Sequence, residues 1–205
     1  MNLFFMPYSM WHIFRKSFEN NLDIFGVDSS NDIMKNAYIK YREIISTIPE
    51  YKKNDVLLVS LLSAAMLASV YLSLNKDVTV NQVKEYYRSA MNSNKFAVYI
   101  LKNENYYSSG YQNKLKKDAY KSQKATNPYT WRFVYTPGDT IDSFDAVFDK
   151  CGICELFKSL GISHITPALC SYDYDMAKFT NSVFTRESTI AAGGSVCDCH
   201  YKRRS

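Results

Sequence analysis

Apolar residues recur every three or four positions through most of the first hundred residues, the pattern of helices that bury one face. Gly26 and the Thr47-Ile48-Pro49 triplet are typical helix stops. The predicted helices cover residues 8–25, 30–48 (headed by Ser30) and 77–91, the last with an extension at 96–101. The first half of the chain is therefore predicted to be helical.

The segment 56–75 contains no charged residue and is long enough to span a bilayer. Four serines and Tyr71 dilute its apolar character, while Ala64, Ala65 and Ala68 suit close packing between helices. No second span of this kind accompanies it. The pattern favours one helix buried at the centre of a helical layer over a membrane helix.

The pattern changes after a lysine-rich stretch at 102–124, which is expected to be a solvated helix or loop. Residues 129–135 are aromatic and β-branched and end at a Pro137-Gly138-Asp139 turn, so a hairpin returning through 143–148 is predicted. The remaining predicted elements are helices at 149–160 and 167–181, strands at 183–191 and 196–201, and a Gly193-Gly194 turn. The fold class is predicted to be α+β, as one domain over residues 1–205. Residues 1–101 are mainly helical, and 129–201 hold the strands and helices that carry the cysteines.

Composition excludes several classes of protein. Of 205 residues, 46% are hydrophobic and 22% are charged, which predicts a folded core without staples. The net charge of +5 is too small and too dispersed for a nucleic-acid interface. The N-terminus lacks a signal-peptide pattern, and five cysteines cannot all pair. A cytoplasmic protein with reduced thiols is expected.

All five cysteines lie between Cys151 and Cys199, which predicts a functional site there. Cys151 and Cys154 are three residues apart at a predicted helix start, so they share a face and their thiol pKa values are expected to be lowered. Cys170 and Asp173 have the same spacing in the next predicted helix. In a strand, Cys197 and Cys199 point one way while Asp198 and His200 point the other.

Several interpretations of these residues stay open. One interpretation is a metal site, because the spacings of Cys151, Cys154, Cys170 and Asp173 are close to those of a zinc ribbon. The other is structural, because these residues lie in predicted apolar helices, where a free cysteine also serves as a small core residue. Arg186 is either a clamp for a carboxylate or half of an ordinary ion pair.

The order and spacing of the motifs in the second half resemble the L-2-amino-thiazoline-4-carboxylic acid hydrolase family. They are Trp131, Phe144, Cys151-Gly-Ile-Cys154, Gly161, Pro167-Ala-Leu-Cys170, Asp173, Arg186, Thr189-Ile190, Gly193-Gly194 and Cys197-Asp198. The first half, with its alanine-rich helix and Tyr71, also looks like that family's helical half. Cys199 stands where an aromatic residue is expected, and His200 where a basic or polar residue is usual.

The resemblance implies a soluble, bacterial-type enzyme that opens a thiazoline-like, carboxylate-bearing ring at a C–N or C–S bond. The expected catalytic residues are Cys170, Asp173 and Cys151, with Cys170 preferred as nucleophile. The expected substrate-binding residues are Arg186, Thr189, Gly193, Gly194, Cys197, Asp198 and Trp131. No cofactor is expected, with zinc or iron left open, and a homodimer is neither required nor excluded. The alternative is a non-catalytic or metal-holding sensor that binds a ligand in the same cysteine pocket.

Overall fold

The computed structural model describes residues 5–27 and 30–205. Part of the N-terminal stretch that bears on the signal-peptide prediction, residues 1–4, lies outside them. The helices are α1 (Met6–Glu19), α2 (Ser30–Thr47), α3 (Leu58–Tyr71), α4 (Val80–Ser93), α5 (Lys95–Asn103), α6 (Ser109–Ser122), α7 (Gly152–Ser159), α8 (Thr166–Cys170) and α9 (Asp173–Phe179). The strands are β1 (Arg132–Pro137), β2 (Ser143–Lys150), β3 (Ser182–Thr185) and β4 (Cys197–Arg203). The α+β prediction is confirmed.

The centre of the helical layer is α3, whose residues 61–70 are all buried. Its serines are satisfied inside the core: the Ser69 hydroxyl donates to the Met66 carbonyl at 2.8 Å, and the Ser63 hydroxyl pairs with the Tyr87 hydroxyl at 2.8 Å. A helix surrounded by other helices can therefore be apolar on every side. Within the described residues, no helix has both the length and the apolar composition needed to cross a bilayer. The buried-helix interpretation is confirmed.

Side-chain caps set helix boundaries that apolar spacing does not reveal. Thr79 and Gln82 form a capping box at the start of α4. Asn94 then interrupts the predicted extension, because its extended backbone ends α4 and its side chain accepts the N–H of Ala97 at 3.0 Å to begin α5. The prediction that residues 96–101 continue the previous helix was wrong. The lysine-rich stretch contains α6, which packs on β1.

All strands form one antiparallel sheet in the order β1-β2-β4-β3. The inward face of β2 carries Phe144 and Ala146, which lie opposite Tyr201 and Cys199 of β4. Phe144 stacks on Tyr201 with ring centroids 4.8 Å apart. The alternation predicted for β4 is confirmed, since Cys197 and Cys199 are buried while Asp198 and His200 are partly exposed.

Several predicted boundaries in the second half were wrong. Strand β2 continues to Lys150, so the next helix begins at Gly152 rather than at Asp149. The predicted helix 167–181 is two helices, α8 and α9. The predicted strand 183–191 ends at Thr185, and an eleven-residue connection at 186–196 replaces a tight glycine turn. Gly193, at φ +90°, ends a short 3-10 turn (Ile190–Ala192) inside that connection.

Candidate functional site

Cys151 lies between the end of β2 and the start of α7, where it is the N-cap residue. Gly152 allows this tight strand-to-helix junction: a Cβ there would collide with the carbonyl oxygen of Tyr129 and lie 2.9 Å from Cζ3 of Trp131. Trp131 itself is buried and packs against the main core. The predicted substrate-binding residue Trp131 thus lies directly behind the turn that holds Cys151.

The interaction between the thiols of Cys151 and Cys154 shifts their pKa values in opposite directions. The hydrogen bond from Cys154, aided by the backbone N–H groups at the start of α7, lowers the pKa of Cys151 against the opposing effect of burial. The same hydrogen bond and burial raise the pKa of Cys154. Cys151 is therefore the more acidic thiol of the pair, in accordance with its position at a helix N-terminus.

Cys170 is the last residue of α8, not part of a helix N-terminus as predicted. Its carbonyl oxygen accepts a hydrogen bond from Nη2 of Arg186 at 2.9 Å. In a continuous helix that carbonyl would accept the N–H of the residue four positions later. Here it accepts from Arg186 instead, at the break between α8 and α9. Burial, and then the carboxylate of Asp173, raise the pKa of the Cys170 thiol.

Asp173 begins α9 and binds Arg186 directly, with Nη1 and Oδ2 2.6 Å apart. The Arg186 side chain is only 6% exposed, whereas Asp173 is 30% exposed. Burial raises the pKa of the Asp173 carboxyl, and Arg186 opposes that shift. Of the two interpretations of Arg186, the structure shows the ion pair.

The register of the sheet places Cys197 and Cys199 beside β2, the strand that leads to Cys151. Cys197 lies opposite Phe148, three residues before Cys151, and Cys199 lies opposite Ala146. Burial raises the pKa of Cys199 to about 12, against the opposing effect of Arg186. Asp173 also acts electrostatically on Cys151 and Cys197. Electrostatic effects thus link Cys151, Cys170, Cys197 and Cys199 to Asp173, and they link Cys154 to Cys151, Cys170 and Cys197.

The connection at 186–196 contains most of the predicted substrate-binding residues and is internally ordered. Thr189 caps its 3-10 turn by accepting the Ala192 N–H at 3.1 Å. Asp198 accepts the Ser188 N–H at 2.6 Å, and the same backbone contact lowers the pKa of Asp198. The Cys197 sulfur accepts the Ile190 N–H at 3.3 Å. This connection contacts α8 and so lies beside the cysteines.

The space around Gly194 is as tight as that around Gly152. A Cβ there would collide with the Ser188 hydroxyl and lie 2.9 Å from the Thr189 carbonyl oxygen. Its neighbour Gly193 has open space around it and is needed for its positive φ. The two glycines therefore shape the connection for different reasons.

The family model for L-2-amino-thiazoline-4-carboxylic acid hydrolase matches residues 60–201, more than half of the chain. The chain belongs to this hydrolase family. The match begins within α3 and includes every cysteine, Asp173 and Arg186. Searches of the curated proteins and of the solved structures found no match.

The hydrolase motif Cys151-Gly-Ile-Cys154 contains one residue that the sequence interpretation passed over. Gly152 was read only as part of the motif, although its position between a strand end and a helix start could have indicated a close approach of backbones. The expectation that both thiol pKa values are lowered was wrong for Cys154, because its interaction with Cys151 and its burial raise its pKa.

The metal alternative requires three or more ligands to gather. Within residues 5–27 and 30–205, no group of three His, Cys, Asp or Glu side chains is arranged to hold a metal ion. Cys151, Cys154, Cys170 and Asp173 do not form such a group. The expectation of no cofactor, with zinc or iron left open, stays a prediction, which elemental analysis of the purified protein would test.

A cavity of about 790 Å³ lies away from the cysteines, between α1, α2 and the start of α3. Tyr38, Tyr41, Arg42 and Tyr51 are among its lining residues. It contains no thiol and lies mostly before the segment that matches the hydrolase model. The size of this cavity would favour it as a binding site. The cysteine cluster contains nucleophiles with shifted pKa values, so we place the candidate active site at the cysteines.

Proposed function

We propose that this chain hydrolyses a thiazoline-like heterocycle that carries a carboxylate, with Cys151 as the nucleophile. The observation that carries the proposal is the position of Cys151 at the N-terminus of α7, where it is partly exposed and where Cys154 lowers its pKa. A thiolate at a helix N-terminus is an activated nucleophile. Membership of the hydrolase family supports the substrate class.

Cys151 is a better candidate than Cys170, which the sequence favoured. Cys170 lies at the C-terminal end of its helix, where the dipole disfavours a thiolate, and the carboxylate of Asp173 disfavours it further. Cys151 has its thiolate favoured by Cys154 and by backbone N–H groups. We therefore assign the nucleophile to Cys151 and give Cys170 a packing role beside the ion pair.

The reaction proceeds in two balanced steps. The Cys151 sulfur adds to the ring carbon between sulfur and nitrogen, the ring C–S bond breaks, and the released sulfur takes a proton from Cys154. Water then adds to the carbon held on Cys151, the bond to Cys151 breaks, and a proton returns to Cys154. The net change is the addition of one water, which leaves a free thiol and a urea-type group on the opened substrate.

The ion pair and the connection at 186–196 have supporting roles in this proposal. Arg186 bridges Asp173 and the Cys170 carbonyl, so it positions α8 and α9 rather than presenting a free fork to the substrate carboxylate. Thr189, Gly193, Gly194, Cys197 and Asp198 shape the connection, which we propose covers the bound substrate. The odd number of cysteines supports a cytoplasmic location with reduced thiols.

Turnover of 2-aminothiazoline-4-carboxylate by Cys151→Ser tests the assignment, with Cys170→Ser as the matched control. We expect Cys151→Ser to lose more than about 1,000-fold in kcat, because a serine hydroxyl is not ionised at neutral pH. Cys170→Ser should keep most of the parent's turnover. Thiol release measures the rate, and circular dichroism with thermal melting confirms that both variants fold.

An intact mass recorded during turnover should show substrate atoms held on the parent protein and not on Cys151→Ser. Full turnover by Cys151→Ser would overturn the proposal. Loss of turnover in Cys170→Ser alone would return the nucleophile to Cys170.

A further inference from the structure

The N-cap position of Cys151 and the third helical position of Cys154 place the two thiols on the same side of the first turn of α7. Residues so spaced have Cβ atoms about 5–6 Å apart in a regular helix, whereas a disulfide joins Cβ atoms about 3.5–4.5 Å apart. Closing the bond therefore depends on Cys151, whose extended N-cap backbone (φ −125°, ψ 115°) lies outside the regular helix and can turn its side chain towards Cys154. Both residues are partly exposed, and Cys154 lowers the pKa of Cys151. A disulfide there closes a four-residue ring at the start of α7.

We propose that Cys151 and Cys154 are a reversible dithiol–disulfide couple that responds to a peroxide-class oxidant. The proposed disulfide is argued from the geometry of α7 and does not depend on the proposed function. Its consequence, that oxidation removes the nucleophile and stops hydrolysis, rests on the proposed function.

Oxidation proceeds in two steps with a peroxide as the two-electron acceptor. The Cys151 thiolate attacks one peroxide oxygen, the O–O bond breaks, and the departing hydroxide is protonated to water, which leaves a sulfenic acid on Cys151. The Cys154 sulfur then attacks the Cys151 sulfur, the S–O bond breaks, and the hydroxyl leaves as water with the Cys154 proton. An external dithiol reverses the change by two thiol–disulfide exchanges and is itself oxidised.

The other cysteines are poorly placed to compete for this bond. Cys197 and Cys199 are two residues apart on one face of β4, where side chains stand parallel and about 6.5–7 Å apart. The Cys197 sulfur also accepts the Ile190 N–H. Cys170 belongs to a different helix, α8. The position of both thiols in the first turn of one helix therefore favours Cys151 and Cys154 for this bond.

Trypsin separates the candidate cysteines into three peptides, which makes the test direct. Residues 151–158 contain Cys151 and Cys154, residues 159–178 contain Cys170, and residues 187–202 contain Cys197 and Cys199. The full chain is treated with stoichiometric hydrogen peroxide, alkylated with iodoacetamide, digested and analysed by mass spectrometry. We expect peptide 151–158 to resist alkylation, to lose about 2 Da for the two hydrogens removed, and to regain two alkylation sites after dithiothreitol.

Two variants complete the test. Cys170→Ser should form the same disulfide as the parent. Cys154→Ser should form none, and dimedone should label its Cys151 as a sulfenic acid instead. Peptide 151–158 carrying two alkyl groups after peroxide treatment, or a disulfide that joins Cys151 to another peptide, would overturn the inference.

The two proposals fail in different ways. If the disulfide forms and the oxidised protein still hydrolyses substrate, the couple stands and the assignment of Cys151 as nucleophile fails. If Cys151→Ser loses hydrolysis but the parent forms no disulfide, the proposed function stands and the couple is overturned.

Discussion

The helical half (α1–α6) and the sheet half (β1–β4 with α7–α9) bury polar groups of different kinds. The buried polar side chains described in the helical half are neutral: Ser17, Ser63, Ser69, Ser73, Asn94, Gln112 and Ser122. Several donate to a carbonyl one turn earlier in their own helix, as Ser69 and Ser73 do at 2.8 Å. Such contacts form with the helix itself and need no other element.

The sheet half also buries neutral hydroxyls, such as those of Thr166, Thr180 and Ser182, but it adds charged groups and ionisable thiols. Arg186 comes from the end of β3, Asp173 from α9, and the carbonyl that Arg186 binds from α8. Asp175 is buried as well and pairs with Arg88 of α4 at 3.0 Å. Buried charges require partners with accurate geometry, and these partners come from separate elements. The comparison teaches that several buried polar groups of the helical half are satisfied within one helical segment, whereas the ion pair beside the cysteines forms only when several elements have assembled.

The largest expected effect comes from removing the buried guanidinium. Arg186→Met should lower the free energy of unfolding by about 3 kcal/mol, because it leaves the Asp173 carboxylate mostly buried without its partner. Arg132→Met is the matched control, since its pair with Asp149 is about half exposed on both sides and should matter far less. Urea unfolding followed by circular dichroism measures both.

A second variant separates the lost charge from lost packing. Asp173→Leu combined with Arg186→Met should recover part of the stability, because no unpaired charge then remains. Equal losses for Arg186→Met and Arg132→Met would break the comparison between a buried and an exposed pair.

A smaller effect is expected at the turn that holds Cys151. Gly152→Ala should destabilise the protein by about 1–3 kcal/mol, because the added methyl group meets the backbone of Tyr129, which cannot move aside as a flexible side chain can. Gly110→Ala in α6 is the control from the helical half, where a Cβ has nothing within 4 Å. Thermal melting of both variants should show a loss for Gly152→Ala only. A similar melting temperature for the two would mean that the Cys151 turn is not tightly packed.

Local patterns predicted most of the helical half correctly, because its elements are determined by apolar spacing and composition. The buried character of α3 follows from its uncharged, alanine-rich sequence. The missed boundary between α4 and α5 depends on Asn94, whose capping role was not considered beside the apolar residues on either side. The residue type alone could have indicated this boundary, because asparagine is a preferred N-cap residue.

The candidate site was less predictable, because its contacts join residues that are distant in sequence. The break between α8 and α9 depends on Arg186, sixteen residues after the carbonyl that it binds. The approach of Cys197 to Cys151 depends on the pairing of Phe148 with Cys197 across two strands. Helical spacing could suggest pairs such as Cys151 and Cys154, but the position of Cys197 and Cys199 beside β2 depends on the register of the sheet.

The smallest expected effect is a shift in the pH at which Cys151 reacts. Iodoacetamide attacks the thiolate, so the labelling rate of Cys151 should reach half its maximum below the pH typical of an exposed thiol, because the Cys154 hydrogen bond lowers the pKa of Cys151. Cys154→Ala removes that hydrogen bond and should move the midpoint to higher pH. Quantifying the alkylated tryptic peptide of residues 151–158 across a pH series gives the rate at Cys151 directly in that variant.

The sign of the accompanying stability change follows from the same shift. A thiol whose pKa is lowered by folding stabilises the folded state above its unfolded pKa, and this contribution is lost as the pH falls through the folded value. The unfolding free energy of the parent should therefore rise slightly with pH relative to that of Cys151→Ser. The neutral buried groups of the helical half do not titrate in this range, so Ser69→Ala, the control, should differ from the parent by an amount independent of pH. If Cys154→Ala leaves the labelling midpoint of Cys151 unchanged, the hydrogen bond between the two thiols does not determine the reactivity of Cys151.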